Sequence, residues 1–301
     1  MNSLTDIPFA KGHGTGNDFL VLDDPHGRLA LDADGVARLC SRREGIGADG
    51  LLRLVRTTAH PEAFTMADQA EWFMDYRNAD GSEGAMCGNG ARLVGRYLVS
   101  AGHHPPGHLA LATRAGLRDL TVPADPHADV AVGMGRPTLP GPAHITVTVG
   151  ERRWRALHVD VGNPHAVVVV KGLAHAGELR EAPVVTPANA FPHGTTVEFV
   201  RNLGSGHLVL RVHERGVGET PSCGTGACAA VAAVRHRGPE PTGPSRYAVD
   251  FPGGRLRIDV DADGTMTLIG PAQITAHGTL GLRDERDSRI ARATAAHAQT
   301  N

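Results

Sequence analysis

Aromatic residues are scarce in this chain: seven Phe, three Tyr and two Trp among 301 residues. So few planar side chains leave little surface on which bases or sugar rings could stack, and a small polar ligand is the better fit. No stretch approaches the roughly 18 consecutive apolar residues of a membrane helix, and residues 1–11 lack the basic segment and apolar run of a secretory leader. The chain reads as neither secreted nor membrane-spanning. Cysteine is sparse as well. Cys40, Cys87, Cys223 and Cys228 are too few for a disulfide framework and none forms a C-x-x-C pair, so a reducing cytoplasm is the expected compartment. They do not join histidines into a four-ligand cluster of familiar spacing, and no metal is expected. Lysine is rarer still, since only Lys11 and Lys171 among the 30 basic residues are lysine. Pyridoxal enzymes need a Schiff-base lysine, which disfavours that cofactor. With 32 acidic residues the net charge is −2, without the positive excess of a nucleic-acid binder or the charge of an acidic disordered chain.

What the chain has in quantity is turns and short strands. Its 38 glycines and 20 prolines exceed ordinary usage yet fall short of low complexity. The length suits about two domains. β-type runs recur at residues 19–22, 50–55, 72–76, 109–113, 130–134, 145–149 and 167–170, and again at 197–200, 208–212, 247–251, 256–260 and 266–269. Helical segments are expected at 32–43, 89–101, 174–181 and 225–237, with Gly102 and Gly238 as stops. No regular alternation of strand and helix appears, so a doubly wound parallel sheet is disfavoured and a mixed α/β (α+β) fold is expected. Residues 284–301 are polar and aperiodic, as in a flexible tail.

An internal repeat emerges when the chain is aligned on two cysteines. Glu83 and Glu219 lie four residues before Cys87 and Cys223; Gly88 and Gly224 follow directly, then Gly90 and Gly226, then Ala91 and Ala227. Upstream, Gly16-Asn17 and Gly162-Asn163 each stand at the edge of an apolar strand. Each Cys-Gly-X-Gly-Ala segment passes from a turn into a small-residue helix, so free backbone N–H groups and the positive end of the dipole favour a carboxylate there. The same field lowers the pKa of an adjacent thiol. Taken alone, a cysteine beside glycine is more often a small buried hydrophobe, and that reading suits Cys40 and Cys228 inside helical stretches. Two such motifs facing one carbon would instead serve a two-base racemase or epimerase, one thiolate removing an α-proton while the other thiol returns one to the opposite face. Gly12 to Gly16 precedes a strand and lacks the following G-K-[ST] of a phosphate loop. His165, after Asn163-Pro164, is singled out among 17 histidines. Glu214-Arg215, just before Cys223, suits a solvated charge pair when taken in isolation.

The segments HGTGNDF (13–19), NADGSEGAMCGNGAR (78–92), VGNPHAV (161–167), VEFV (197–200) and HERGVGETPSCGTGACA (213–229) closely resemble the diaminopimelate epimerase family, in its actinobacterial type, over residues 10–282. The resemblance implies a cofactor-independent isomerase that interconverts LL- and meso-diaminopimelate for lysine and peptidoglycan synthesis. It also implies two similar halves, each a barrel-like sheet around a central helix: residues 1–132 with 265–283 carrying Cys87, and 133–264 carrying Cys223. The catalytic thiols fall on Cys87 and Cys223. The backbone grip on the reacting carboxylate falls on Gly88, Asn89, Gly224 and Thr225, and substrate contacts on Asn17, Asn78, Asn163, Glu214 and Arg215, with His165 near the thiols. A homodimer is implied too; the cytoplasm, and the absence of nucleic-acid or membrane binding, are expected from the cysteine usage, the charge and the short apolar runs.

Two positions depart from the family pattern. Gly50 follows Ala48-Asp49 where many members have glutamine, a variation associated with the actinobacterial type. Thr196 stands where the family has an asparagine that contacts the distal end of the substrate. Threonine lacks the amide's paired donor and acceptor, so distal recognition is the feature placed in question. A two-cysteine epimerase of another amino acid, and a non-catalytic amino-acid-binding protein, are the alternatives. Facing thiols would also make activity depend on reductant.

Overall fold

The structure, a computed structural model, describes residues 7–140, 144–238 and 245–280; the expected tail at 284–301 lies outside them. Two compact units result. The first takes its described residues from Met1–Gly14, Asp18–Val130 and Ala272–Asn301, the second from Thr15–Asn17 and Ala131–Pro271. The strand Met266–Gly270, which a crossing at Gly264 would give to the first half, therefore belongs to the second. It pairs there with Gly254–Val260 and with Val130–Gly135.

The strand Asn17–Asp23, in the first unit from Asp18 on, runs parallel to Gly50–Arg56, which is antiparallel to Trp72–Asn78. That strand runs parallel to Gly107–Thr113, itself antiparallel to Gly116–Val122. Helix α1 (Ala33–Cys40) links the first parallel pair and α2 (Gly88–Ser100) the second. Asp32 caps α1, its carboxylate accepting from the Gly35 N–H at 2.7 Å. α2 is buried on nearly every side, which its small residues permit: a Cβ on Gly95 would lie 2.8 Å from Leu120 Cδ2. Leu93, Val94 and Leu98 are fully buried, each contributing roughly 1.5–3 kcal/mol.

The second unit repeats this order. Pro164–Val169 runs parallel to Thr196–Gly204, which is antiparallel to His207–Glu214; that strand is parallel to Ser245–Phe251, and the last is antiparallel to Gly254–Val260. Helix α3 (Gly224–Arg237) occupies the place of α2, its first ten residues all buried. The registers match as well: Phe19 opposes Gly50 in the first copy, and His165 opposes Thr196 in the second. The duplication visible on the cysteines is thus a duplication of sheet topology.

Two expected helices require correction, and two strands were not expected. The helix expected at 174–181 is only a 3-10 turn, Leu173–Ala176, ended by Gly177 at φ 65°. The helix expected at 32–43 stops at Cys40. Strands Ile7–Gly14 and Gln273–Leu280, paired antiparallel, carry no clear strand pattern in the sequence because glycines interrupt their alternation. The glycines are there for close approach: a Cβ on Gly12 would stand 2.5 Å from the Gln273 carbonyl oxygen, and one on Gly278 2.6 Å from Phe9 Cε1.

Candidate active site

Each central helix begins at a cysteine. Cys87 (φ −139°, ψ 119°) caps α2, its Sγ accepting from the Gly90 N–H at 3.4 Å; Cys223 (φ −132°, ψ 116°) caps α3, its Sγ accepting from the Gly226 N–H at 3.3 Å. Both cap residues are extended, so the chain turns sharply into each helix and leaves its first N–H groups facing outward from the turn. Gly88 and Gly224 occupy the first helical positions, Asn89 and Thr225 the second. No side chain at the first position screens the backbone from an anion.

In the first unit Cys87 is half-buried, while Asn89 and Arg92 are buried. Arg92 holds the turn from within, donating to the Asn89 Oδ1 at 2.8 Å and the Gly88 carbonyl at 3.2 Å. Asn78 ends the strand Trp72–Asn78. Its Oδ1 accepts from the Tyr76 hydroxyl at 2.7 Å and its Nδ2 donates to Ser82 Oγ at 2.9 Å, which fixes the amide nine residues before the thiol.

The second unit gathers more of the expected residues. Cys223 is buried and its sulfur lies 3.4 Å from Thr225 Oγ1. Asn163 Nδ2 donates to the same hydroxyl at 3.5 Å, and Asn163 Oδ1 faces His165 Nε2 at 3.1 Å. Glu214 is half-buried, its carboxylate accepting from the Thr220 hydroxyl, and it lies close to Cys223. Burial raises the Glu214 carboxyl above its ordinary range despite that bond. Burial, with Glu214 and Glu198 close by, also pushes the Cys223 thiol up, against the opposing hydrogen bonds from Thr225 and Gly226. Glu214 and Arg215 are not a solvated pair: Arg215 turns away, exposed, and donates to the His193 carbonyl at 2.7 Å. Thr196 is buried beside His165 in the register of the two strands.

Asn17 is buried and opens its strand after a two-residue turn in which Thr15 (φ 51°) and Gly16 (φ 82°) both adopt left-handed backbone. A β-branched residue there is strained by about 1–3 kcal/mol. The Thr15 hydroxyl donates to Ser222 Oγ at 2.7 Å, beside Cys223. Sequence reasoning gave no role to Thr15, nor to Glu198, a fully buried acid whose Oε1 lies 2.6 Å from His165 Nδ1. A carboxylate inside the apolar run VEFV was the available signal.

The other two cysteines are buried within α1 and α3, as their helical setting predicts, and burial pushes the Cys40 thiol up to about 11. Among the described residues no cluster of His, Cys, Asp and Glu could hold a metal ion, and no helix is long and apolar enough to cross a membrane.

A sequence model of the diaminopimelate epimerase family matches residues 9–140 and 157–275. The diaminopimelate epimerase of Streptomyces coelicolor is 55% identical over 278 residues, covering 91% of this chain and 95% of the relative. That of Thermobifida fusca is 44% identical, with coverage of 91% and 98%. Among solved structures, a hydroxyproline epimerase from Agrobacterium vitis superposes with a TM-score of 0.70 at 16% identity, covering 97% of this chain and 99% of its own. A probable proline racemase from Agrobacterium radiobacter does so with a TM-score of 0.69 at 18% identity, covering 95% and 96%. The mixed α/β architecture is shared with these folds.

Proposed function

The chain belongs to the diaminopimelate epimerase family, and on that premise we propose that it interconverts LL- and meso-diaminopimelate by moving an α-proton between Cys87 and Cys223, in lysine and peptidoglycan synthesis. The observation that carries the reading is the matched pair of caps, two cysteines in the same backbone conformation, each accepting from the third N–H of its helix. In the proposed reaction the Cys87 thiolate takes the α-proton and becomes a thiol. The carbanion takes the proton of the Cys223 thiol on its other face, leaving Cys223 as thiolate. Helix N–H groups at Gly88, Asn89, Gly224 and Thr225 stabilise the charge that develops on the reacting carboxylate. The reverse passage, in which the Cys223 thiolate takes an α-proton and the Cys87 thiol returns one, restores the starting state, and Glu214, close to Cys223, reads a polar group of the substrate. Asn17, Asn78, Asn163 and Arg215 read the remaining amino and carboxylate groups. None of these steps asks for a cofactor, and a cytoplasmic homodimer completes the proposal.

The test is α-proton exchange in deuterated water under reductant, with LL-diaminopimelate beside lysine and histidine. Exchange confined to diaminopimelate is expected, and Cys87→Ser or Cys223→Ser abolishes epimerisation. Thr196 favours a second reading, the same chemistry on another amino acid. Exchange only with a monoamino acid would select it, and Thr196→Asn would then be expected to restore diaminopimelate turnover.

A further inference from the structure

The two units place different chemistry at one equivalent spot beneath their helix starts. In the second, Glu198 and His165 are both fully buried and bonded through Oε1 and Nδ1 at 2.6 Å, and a Cβ on Gly226 would meet Glu198 Oε1 at 2.9 Å. In the first, register places Phe19 where the second has His165, and Leu52 where it has Glu198. Phe19 and Leu52 are buried as well, and the equivalent Cβ on Gly90 would meet Leu52 Cδ2 at 3.0 Å. The same topology thus folds with an apolar pair at this spot. A buried polar pair that an apolar pair can replace is weak support for stability, and its desolvation is costly. Glu198 Oε2, moreover, is buried without a hydrogen-bond partner.

What the polar pair supplies is direction. Asn163 Oδ1 is an acceptor, so the His165 Nε2 facing it at 3.1 Å must carry a proton. The carboxyl group at Nδ1 suits that state in either protonation form, as carboxylate against imidazolium or as acid against a neutral ring. With Oδ1 so engaged, the Asn163 amide directs Nδ2 to Thr225 Oγ1. Having accepted there, the Thr225 hydroxyl is left to donate to Cys223 Sγ, 3.4 Å away.

We propose that Glu198 is a positioning residue for Cys223. It fixes the proton on His165 Nε2, and through His165, Asn163 and Thr225 it aims one hydroxyl donor at the sulfur, stabilising the thiolate left after proton delivery. Without Glu198, His165 is free to protonate on Nδ1, the Asn163 amide turns over, and Thr225 donates to Asn163 instead of to sulfur. The first unit has asparagine, Asn89, in place of Thr225. The inference deepens the two-thiol reading and rests on it.

The test measures alkylation of Cys223 by iodoacetamide, read by peptide mass in a Cys87→Ser background, and so needs no substrate. The double replacement His165→Phe with Glu198→Leu copies the first unit's pair. It is expected to keep the wild-type unfolding midpoint or exceed it. Cys223 alkylation should slow by about tenfold or more, the worth of a hydrogen bond to a charged group. Thr225→Val should slow it equally, and combining it with the double replacement should add nothing. Wild-type alkylation in the double replacement, or a full further loss in the combination, would overturn the proposal. Where the double replacement does not fold, Glu198→Gln serves: it can donate to Nδ1, and alkylation within about threefold of wild type is expected. A loss as large as that of Thr225→Val would overturn the hydrogen-bond account. With Cys87 restored, kcat for α-proton exchange should fall with alkylation while KM changes little. If alkylation behaves as expected but the wild type exchanges no diaminopimelate proton, the relay stands and the substrate reading falls.

Discussion

Gly226→Ala sets helix propensity against packing at the point where the candidate site is tightest. Gly226 is the third residue of α3, and its φ is outside the left-handed region that would exclude alanine. On an exposed helix the change would stabilise by about 1 kcal/mol. Here the new methyl would stand 2.9 Å from Glu198 Oε1 and 3.3 Å from Cys223 Sγ. Glu198 cannot swing aside, being fully buried and bonded to His165. Overpacking of this kind costs about 1–3 kcal/mol, so a net loss of about 0–2 kcal/mol is expected after the propensity gain. Activity should suffer more than stability, since the displaced atoms are a thiol and the carboxylate that orders its neighbours; a fall of at least about tenfold in kcat is expected, in line with small misplacements in active sites. Gly90→Ala is the internal control. Its methyl would meet Leu52 Cδ2 at 3.0 Å, with Cys87 Cβ farther away at 3.5 Å, and an apolar side chain can yield. Urea denaturation and α-proton exchange on both variants measure the contrast. A Gly226→Ala protein that is more stable than wild type and equally active would refute the reasoning.

Two further expectations concern stability. Asp75 is fully buried among Arg53, Arg77 and Arg114; burial alone would raise its carboxyl, yet Arg77 and Arg114 outweigh it and hold the group below its ordinary range. A depressed folded pKa gives stability that is present above the unfolded value of about 3.9 and is lost as pH falls through the folded one. Asp75→Asn should therefore cost about 3 kcal/mol near neutral pH and flatten the acid limb of the urea midpoint against pH. At Thr15, relief of left-handed strain and loss of the bond to Ser222 are of similar size, so Thr15→Gly should change stability by less than about 1 kcal/mol. Thr15→Val keeps the strain, loses the donor and should cost about 1–2 kcal/mol in the same titration.

The repeat was legible because cysteine, glycine and small residues at fixed offsets specify a cap and a close-packed helix in a few adjacent positions. Helices α2 and α3 accordingly lie within a residue or so of where the sequence puts them. The expected third helix after residue 173 was illegible, since its apolar spacing survives only until Gly177 takes a left-handed backbone. Glu214 and Arg215 read as one charged pair because they are adjacent, whereas the strand end sends their side chains to different partners, Thr220 and His193. Glu198 stayed hidden for a related reason. Its partner is 33 residues away, and only a parallel register makes that separation a contact.

The antiparallel pairing of Ile7–Gly14 with Gln273–Leu280 has a consequence for the order in which the protein is made. The strand that covers Leu20 and Leu22 on one side includes Ile7, which opposes Leu280. Every residue of the second unit after Asn17 is synthesised before that partner exists. At about 5–20 residues per second the early strand waits roughly 15–50 s for its closing neighbour. During translation the later-made unit can complete its sheet first, and the earlier-made one is finished by the last described strand to leave the ribosome.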